Sequence, residues 1–300
     1  MTRRRWMLWI AVAAVLGGCG SGGIGPAEGG SGGLDRLRKQ AHDALARYDK
    51  AVLDAGGRQG FVPVGDLTGQ LGDWEPANGE NKAGLASGRV VAATALPAAP
   101  QPTGTVAWDN GVSQTVPLIS AEEALRQLIA AGAGDCGGCA PLEVTGAKLT
   151  TTQIQTTRGR ATVPAWEYAL KATAVRVTRV AVGSSAIVKV TPPSWDPYNA
   201  PGGLAIESAT TTVGSRQLTV AFTGSPNPGN RPCGADYSTE AVESANAVVV
   251  IVIAHRYLPG ETCNAIGARR TATVDLAQPL GERAVLEVQQ GMPVTLMIAA

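Results

Sequence analysis

The spacing of apolar positions changes period once along this chain. Leu34, Leu37, Ala41, Ala44, Leu45, Tyr48 and Val52 recur every three or four residues, with Arg36, Arg38, Lys39, Asp43, Arg47 and Asp49 between them. That spacing predicts a helix with one buried face, stopped by Gly56-Gly57. A second helix is predicted after Ser120, whose hydroxyl is a natural N-cap, with Glu123 completing a capping box. Ala124, Leu125, Leu128 and Ile129 form its apolar face, and Gly132 and Gly134 end it. Between these helices residues 61–117 read as short strands and loops. The clearest signal there is Asp109-Asn110-Gly111 between two alternating runs, which predicts a hairpin.

From Leu142 the period shortens to two, and Thr and Val dominate. Strands are expected at residues 142–157 with a break near Gly146, and at 161–172, 175–182, 204–213, 217–222, 247–254, 270–276 and 284–288. Val175 and Val177 share one phase while Val180 and Val182 share the other, which predicts a β-bulge at Thr178-Arg179. Pro164 predicts an edge or bulged strand, with Trp166 as a core anchor. Residues 247–254 are almost continuously apolar and read as a central strand covered on both faces. Residues 192–203 are rich in Pro, Gly and aromatics and read as a long loop or hinge. The fold class expected is mainly β. A small N-terminal α+β domain (residues 34–135) precedes a β-sandwich (residues 136–300), immunoglobulin-like or similar.

The first residues have a different character. Arg3, Arg4 and Arg5 precede an apolar run that closes on Leu16-Gly17-Gly18-Cys19. About eleven apolar residues are too few to cross a bilayer, so the stretch reads as a secretory signal. Its ending resembles the lipobox of bacterial lipoproteins. The resemblance implies that residues 1–18 are removed, that Cys19 is acylated, and that the chain is held by membrane lipid at the extracytoplasmic face of the cell membrane. Residues 19–33, mostly Gly and Ser, then form a flexible tether. Arg3-Arg4-Arg5-Trp6-Met7 also resembles a twin-arginine export signal, although a plain basic head explains it as well.

Composition agrees with a folded body, at 44% hydrophobic and 16% charged residues. The net charge of +1 provides no field for nucleic acid. Of five cysteines, Cys19 leaves an even set of four in an oxidising compartment. Three pairings are possible. Cys136–Cys139 and Cys233–Cys263 are expected, because each pair is local and sits in loop-like sequence.

Several phrases carry a further resemblance: Val144-Thr145-Gly146-Ala147, Thr157-Arg158-Gly159, Val163-Pro164-Ala165-Trp166, Cys263-Asn264-Ala265-Ile266-Gly267 and Pro279-Leu280-Gly281-Glu282-Arg283. Spread over about half the chain, they are similar to uncharacterised lipoproteins of actinomycetes. That resemblance brings no activity and no functional residues with it.

Candidate chemistry is sparse. Cys136-Gly137-Gly138-Cys139 has the spacing of a redox pair, but it follows a helix, whereas a reactive pair needs a helix N-terminus to lower its thiol pKa. His42 falls on the polar face of the first helix. His255, at the end of the apolar strand, would be the base of any Ser–His site, but no Gly-x-Ser-x-Gly elbow accompanies it. Glu207, Glu240 and Glu243 could supply an acid–base pair for glycoside hydrolysis, although carboxylates on strand surfaces are usually solvated. No metal or cofactor motif is present in the sequence. Trp108 and Trp166 read as core, and Trp74 and Trp195, in Gly/Pro-rich loops, as possible partner contacts. The sequence therefore reads as a non-enzymatic binding module at the cell envelope, facing a protein or cell-wall partner. A thiol–disulfide factor using Cys136 and Cys139 and an extracytoplasmic hydrolase are the alternatives.

Overall fold

Fifteen strands and three helices account for most of the residues that the computed structural model describes, namely 31–57, 60–75, 79–194, 201–257 and 262–299. Helix α1 (Ser31–Asp54) buries the predicted face: Leu37, Ala41, Ala44, Leu45, Tyr48 and Val52 are all inaccessible to solvent. Gly56 and Gly57 take positive φ, and the Gly57 N–H donates to the Val52 carbonyl, which closes the last turn. Helix α3 (Ala121–Ala131) starts as expected, with the Glu123 N–H donating to Ser120 Oγ at 3.1 Å. Between them, helix α2 (Gly79–Ala86) has no counterpart in the sequence reading, because its apolar positions are too few to set a period.

The first sheet has eight strands. A long hairpin, β6 (Leu142–Thr156) and β7 (Gly159–Leu170), forms its centre. On its outer edge β6 carries β3 (Val90–Ala92) in parallel at one end and β1 (Pro63–Val64) at the other. The outer edge of β7 is likewise shared, first by β4 (Thr103–Trp108) and then by β8 (Arg176–Val180). The predicted hairpin joins β4 to β5 (Ser113–Pro117), and β2 (Thr68–Leu71) pairs with β8. The expected break at Gly146 is a register shift inside one strand. The division expected at residue 135 does not match this sheet, because strands on both sides of that residue belong to it. The sheets separate instead across residues 181–205, which contain the segment read as a hinge.

Two local expectations are corrected. The register of β8 on β7 runs without a shift, so no bulge lies at Thr178-Arg179. The phase change arises because the strand is covered on both faces: Val175, Val177 and Ala181 join one core cluster, Val180 and Val182 another. Pro164 does not place β7 at an edge. Its carbonyl accepts from the Ala181 N–H at 2.8 Å, so its own nitrogen points to the same side, where β4 gives way to β8. The missing donor therefore removes no bond to β6. Trp108 and Trp166 are both core, and their indole N–H groups donate to Thr156 Oγ1 and the Ile119 carbonyl, each at 2.9 Å.

The later strands form two sheets. One holds β13 (Ala268–Asp275), β10 (Gln217–Gly224), β9 (Ile206–Thr212) and β15 (Thr295–Ala299) in that order. The other holds β11 (Ala235–Glu243), β12 (Ala247–Arg256) and β14 (Ala284–Glu287). They face each other across Leu218, Val220, Phe222, Val248, Val250 and Val252. The opposite row of β12, with Ala247, Val249 and Ile251, packs with Ala284, Leu286 and α1. The apolar run at 247–254 is thus covered on both faces, as its composition required.

The direction of α1 on this sheet follows from its polar contacts. Arg38 holds Glu240, midway along β11, through two bonds of 2.7 and 2.8 Å. Asp49 accepts from Asn246 Nδ2 and Ser244 Oγ in the β11–β12 turn. The start of α1 therefore lies at the opposite end, beside the first residues of β11 and the last of β12. Hydrogen bonding by Arg38 holds the Glu240 carboxyl below its ordinary range. A depressed carboxylate pKa contributes stability above the unfolded value, about 4.3, and that contribution is lost as pH falls through the folded value. The stability difference between the native chain and Glu240→Gln should accordingly be present at pH 7 and shrink at pH 3 in urea unfolding. A difference independent of pH would mean that the pair does not help to hold α1.

Candidate functional site

The two later sheets are joined twice at one end, by residues 225–234 between β10 and β11 and by residues 257–267 between β12 and β13. Between these crossings lies a cleft of about 690 Å³. Leu204, Tyr237 and Ala254, all half-buried, line its deeper part, whereas Pro226, Pro232 and Ile266 are exposed on its rim. The volume suits a small-molecule ligand, for which clefts of roughly 300–1,000 Å³ with apolar walls and a few polar groups are usual.

The first crossing is tied down by its own side chains. Ser225 Oγ donates to the Cys233 carbonyl at 2.6 Å, and Asn227 Nδ2 donates to the Pro232 carbonyl at 3.0 Å. The Ser225 N–H donates to the Tyr237 hydroxyl at 2.6 Å, while the Tyr237 ring meets Phe222 edge-on in the core. Asp236 Oδ1 accepts from the Gly229 N–H. At Gly234 a Cβ would come within 1.8 Å of the Pro228 carbonyl oxygen, so the turn needs glycine there. The Cys233–Cys263 disulfide joins the two crossings, and both cysteines line the cleft. Cys233 holds φ at 55°, the left-handed region that a residue with a Cβ seldom enters.

Positive charge gathers around this mouth. Arg256 lines the cleft, and neither it nor the exposed Arg231 and Arg269 forms an ion pair among the described residues. Arg270 donates to the Ser225 carbonyl at 2.7 Å. The nearby carboxylates, Asp236 and Glu207, accept from Gly229 and from the Thr223 hydroxyl.

The sequence candidates fall in several places. Cys19 and Trp195 lie outside the described residues. Cys136 and Cys139 are bonded, as are Cys233 and Cys263, so the expected pairing is the one found. Cys139 is buried against Gly84 of α2, and the pair follows the C-terminal end of α3, where a helix dipole would not favour a thiolate. Trp74 is half-buried against the α3 side of the first sheet, with its indole N–H donating to Gln70. His42 is exposed on α1. Glu240 is held by Arg38 and Glu243 by Arg283, while Glu207 takes Thr223, so the three carboxylates serve separate partners. Among the described residues no three His, Cys, Asp or Glu side chains converge as metal ligands.

One contact revives the hydrolase alternative in concrete form. Ser238 Oγ and His255 Nε2 are 2.7 Å apart, with Asp236 opposite His255 in the ladder. That is the distance of a nucleophile and its base. Both residues, however, are exposed on the open surface of β11 and β12, where water screens developing charge. Sequence reading missed strand β11 and with it Tyr237 and Ser238. The alternation of Ala235, Tyr237 and Ala241 with Asp236, Ser238 and Glu240 was the available signal.

Comparison with protein-family models, with curated proteins and with solved structures found no match, so the site is argued from these residues alone.

The two disulfides should differ in their contribution to stability. Loss of unfolded-chain entropy favours the bridge that closes the longer loop, by about 3.7 kcal/mol for Cys233–Cys263 against about 2 kcal/mol for Cys136–Cys139. Urea unfolding of the two Cys→Ser double variants should rank them in that order. The reverse ranking would place the main constraint beside α3 rather than at the cleft.

Proposed function

We propose that this chain is an extracytoplasmic lipoprotein, anchored through acylated Cys19, whose body is a non-enzymatic binding module and whose ligand site is the cleft bordered by Cys233–Cys263. In this reading the two later sheets form a β-sandwich and the cleft is its open mouth, braced from outside by α1. The observation that carries the reading is the cleft itself: preformed, with apolar walls and a few polar groups such as Arg256 and Asn264, and bordered by a covalent tie. Two disulfides also suit an oxidising compartment, in agreement with the lipobox-like Leu16-Gly17-Gly18-Cys19. The packed surroundings of Cys139 support a structural role for Cys136–Cys139 over thiol exchange. The open position of Ser238 and His255 supports binding over hydrolysis.

Three measurements test this. The intact mass of the chain extracted from membranes should begin at Cys19 and include acyl groups. A photoreactive amino acid at Asn264, in the cleft, should capture a ligand in living cells, whereas the same group at Leu53, exposed near the C-terminal end of α1, should not. Equal capture at both positions would overturn the cleft as the binding site. A fluorophosphonate probe should leave Ser238 unmodified; its modification would bring the hydrolase reading forward.

A further inference from the structure

The start of α1 and the mouth of the cleft lie at the same end of the body. Gln40 Nε2 approaches the Gly202 carbonyl at 3.3 Å, and the Leu37 side chain lies 3.5 Å from where a Gly202 Cβ would stand. Two residues further on, Leu204 enters the cleft. Arg38 on Glu240 and Asp49 on the β11–β12 turn orient the helix so that Ser31 stands at this end. Eleven residues, rich in Gly, separate Ser31 from Cys19. Covalent geometry limits the reach from Ser31 to Cys19 to roughly 40 Å. An anchor at Cys19 therefore keeps the mouth of the cleft, rather than the far end of the sheets, close to the bilayer.

That end carries the chemistry of a membrane contact. Ile266 is 63% exposed and Tyr257 44% exposed, both beside the cleft, where they have no core to enter. Arg231 in the first crossing, Arg256 next to Tyr257 and Arg269 at the start of β13 are all exposed and have no ion-pair partners among the described residues. Exposed apolar side chains and unpaired arginines at one end match an anionic bilayer surface, where acyl chains take the apolar groups and phosphates the guanidiniums. A soluble partner would not explain why these groups sit where the tether begins.

We infer that the cleft end docks on the membrane and that the cleft takes the phosphate-bearing headgroup of an anionic phospholipid, with Arg256 as its principal contact. The inference rests on the lipid-anchored reading above, and it supplies that reading with a ligand class. Arg256 lines the cavity together with Asn264 and the half-buried Tyr237 and Leu204. A phosphate can be held in two-pronged fashion by such a guanidinium, while glycerol and the first methylenes meet the apolar wall.

The test uses the full chain reconstituted into phosphatidylcholine vesicles with or without one third phosphatidylglycerol. Amide hydrogen exchange is read over residues 223–237 and 262–267. Exchange in both segments should slow at least fivefold in the anionic vesicles at 50 mM salt, and the protection should fade by 500 mM salt. Arg256→Gln should remove most of the protection without moving the urea midpoint, since the side chain is exposed. Substituting Gln for Arg231, Arg256 and Arg269 together should abolish it. Equal exchange in the two vesicle types would overturn the proposal. So would the same protection produced in neutral vesicles by soluble glycerol phosphate, which would make the ligand a free anion. Failure of the anchor is distinguishable, because the chain would then lack acyl groups by mass and would not float with neutral vesicles.

Discussion

Strand β12 must be dry on both faces, and the rest of the later half is arranged to achieve it. Val248, Val250 and Val252 are buried against the four-stranded sheet, while Val249 and Ile251 are buried on the other side. A sheet surface of that kind exposed to water would lose about 1.5–3 kcal/mol for each large side chain. The neighbouring strands cover the edges of β12, with β11 antiparallel and β14 parallel, but neither can cover a face. Helix α1 does so, although almost 200 residues separate it from β12 in the chain. The helix that opens the described chain is therefore part of the last core, and its orientation decides which end of the sheets the N-terminal residues reach.

Local order was readable wherever one residue type settles a local geometry. The period of Leu34 to Val52 identified the buried face of α1, Ser120 the start of α3, and Asp109-Asn110-Gly111 the β4–β5 hairpin. The burial of β12 followed from its continuous valine run. What the period does not report is the partner. The face of α1 reads the same whether it packs on the strands that follow it or on β12, so the division at residue 135 was a natural reading of an arrangement that the sheets do not follow. A two-faced strand and a bulged strand likewise share one pattern, and at Val177 and Val180 only the register separates them. At Pro164 the missing donor is real, but its consequence depends on which edge the nitrogen faces.

The cleft was the least legible feature, because none of its parts is unusual alone. Arg256 ends a strand, Asn227 and Ser225 occupy a turn, and Tyr237 belongs to a strand whose alternation is weak. Only Cys233 and Cys263 marked the place, and they marked it as a local loop of 31 residues rather than as the rim of a cavity. The cavity exists because the chain crosses twice between facing sheets at one end, which is a property of topology.

Those crossings also explain why the covalent tie belongs there. Rich in Pro, Gly and Asn, they are mostly exposed over their described residues, where hydrogen bonds compete with water. The disulfide joins them across the opening, and Tyr237, anchored in the core by Phe222, supports the first crossing from below. A cleft fixed in this way loses little freedom when a ligand enters, so modest contacts suffice for binding. The disulfide thus lies at the same end of the later sheets as Arg231, Arg256 and the start of α1. An apolar cleft without such a tie would be free to close on itself, because burying its own walls is favourable.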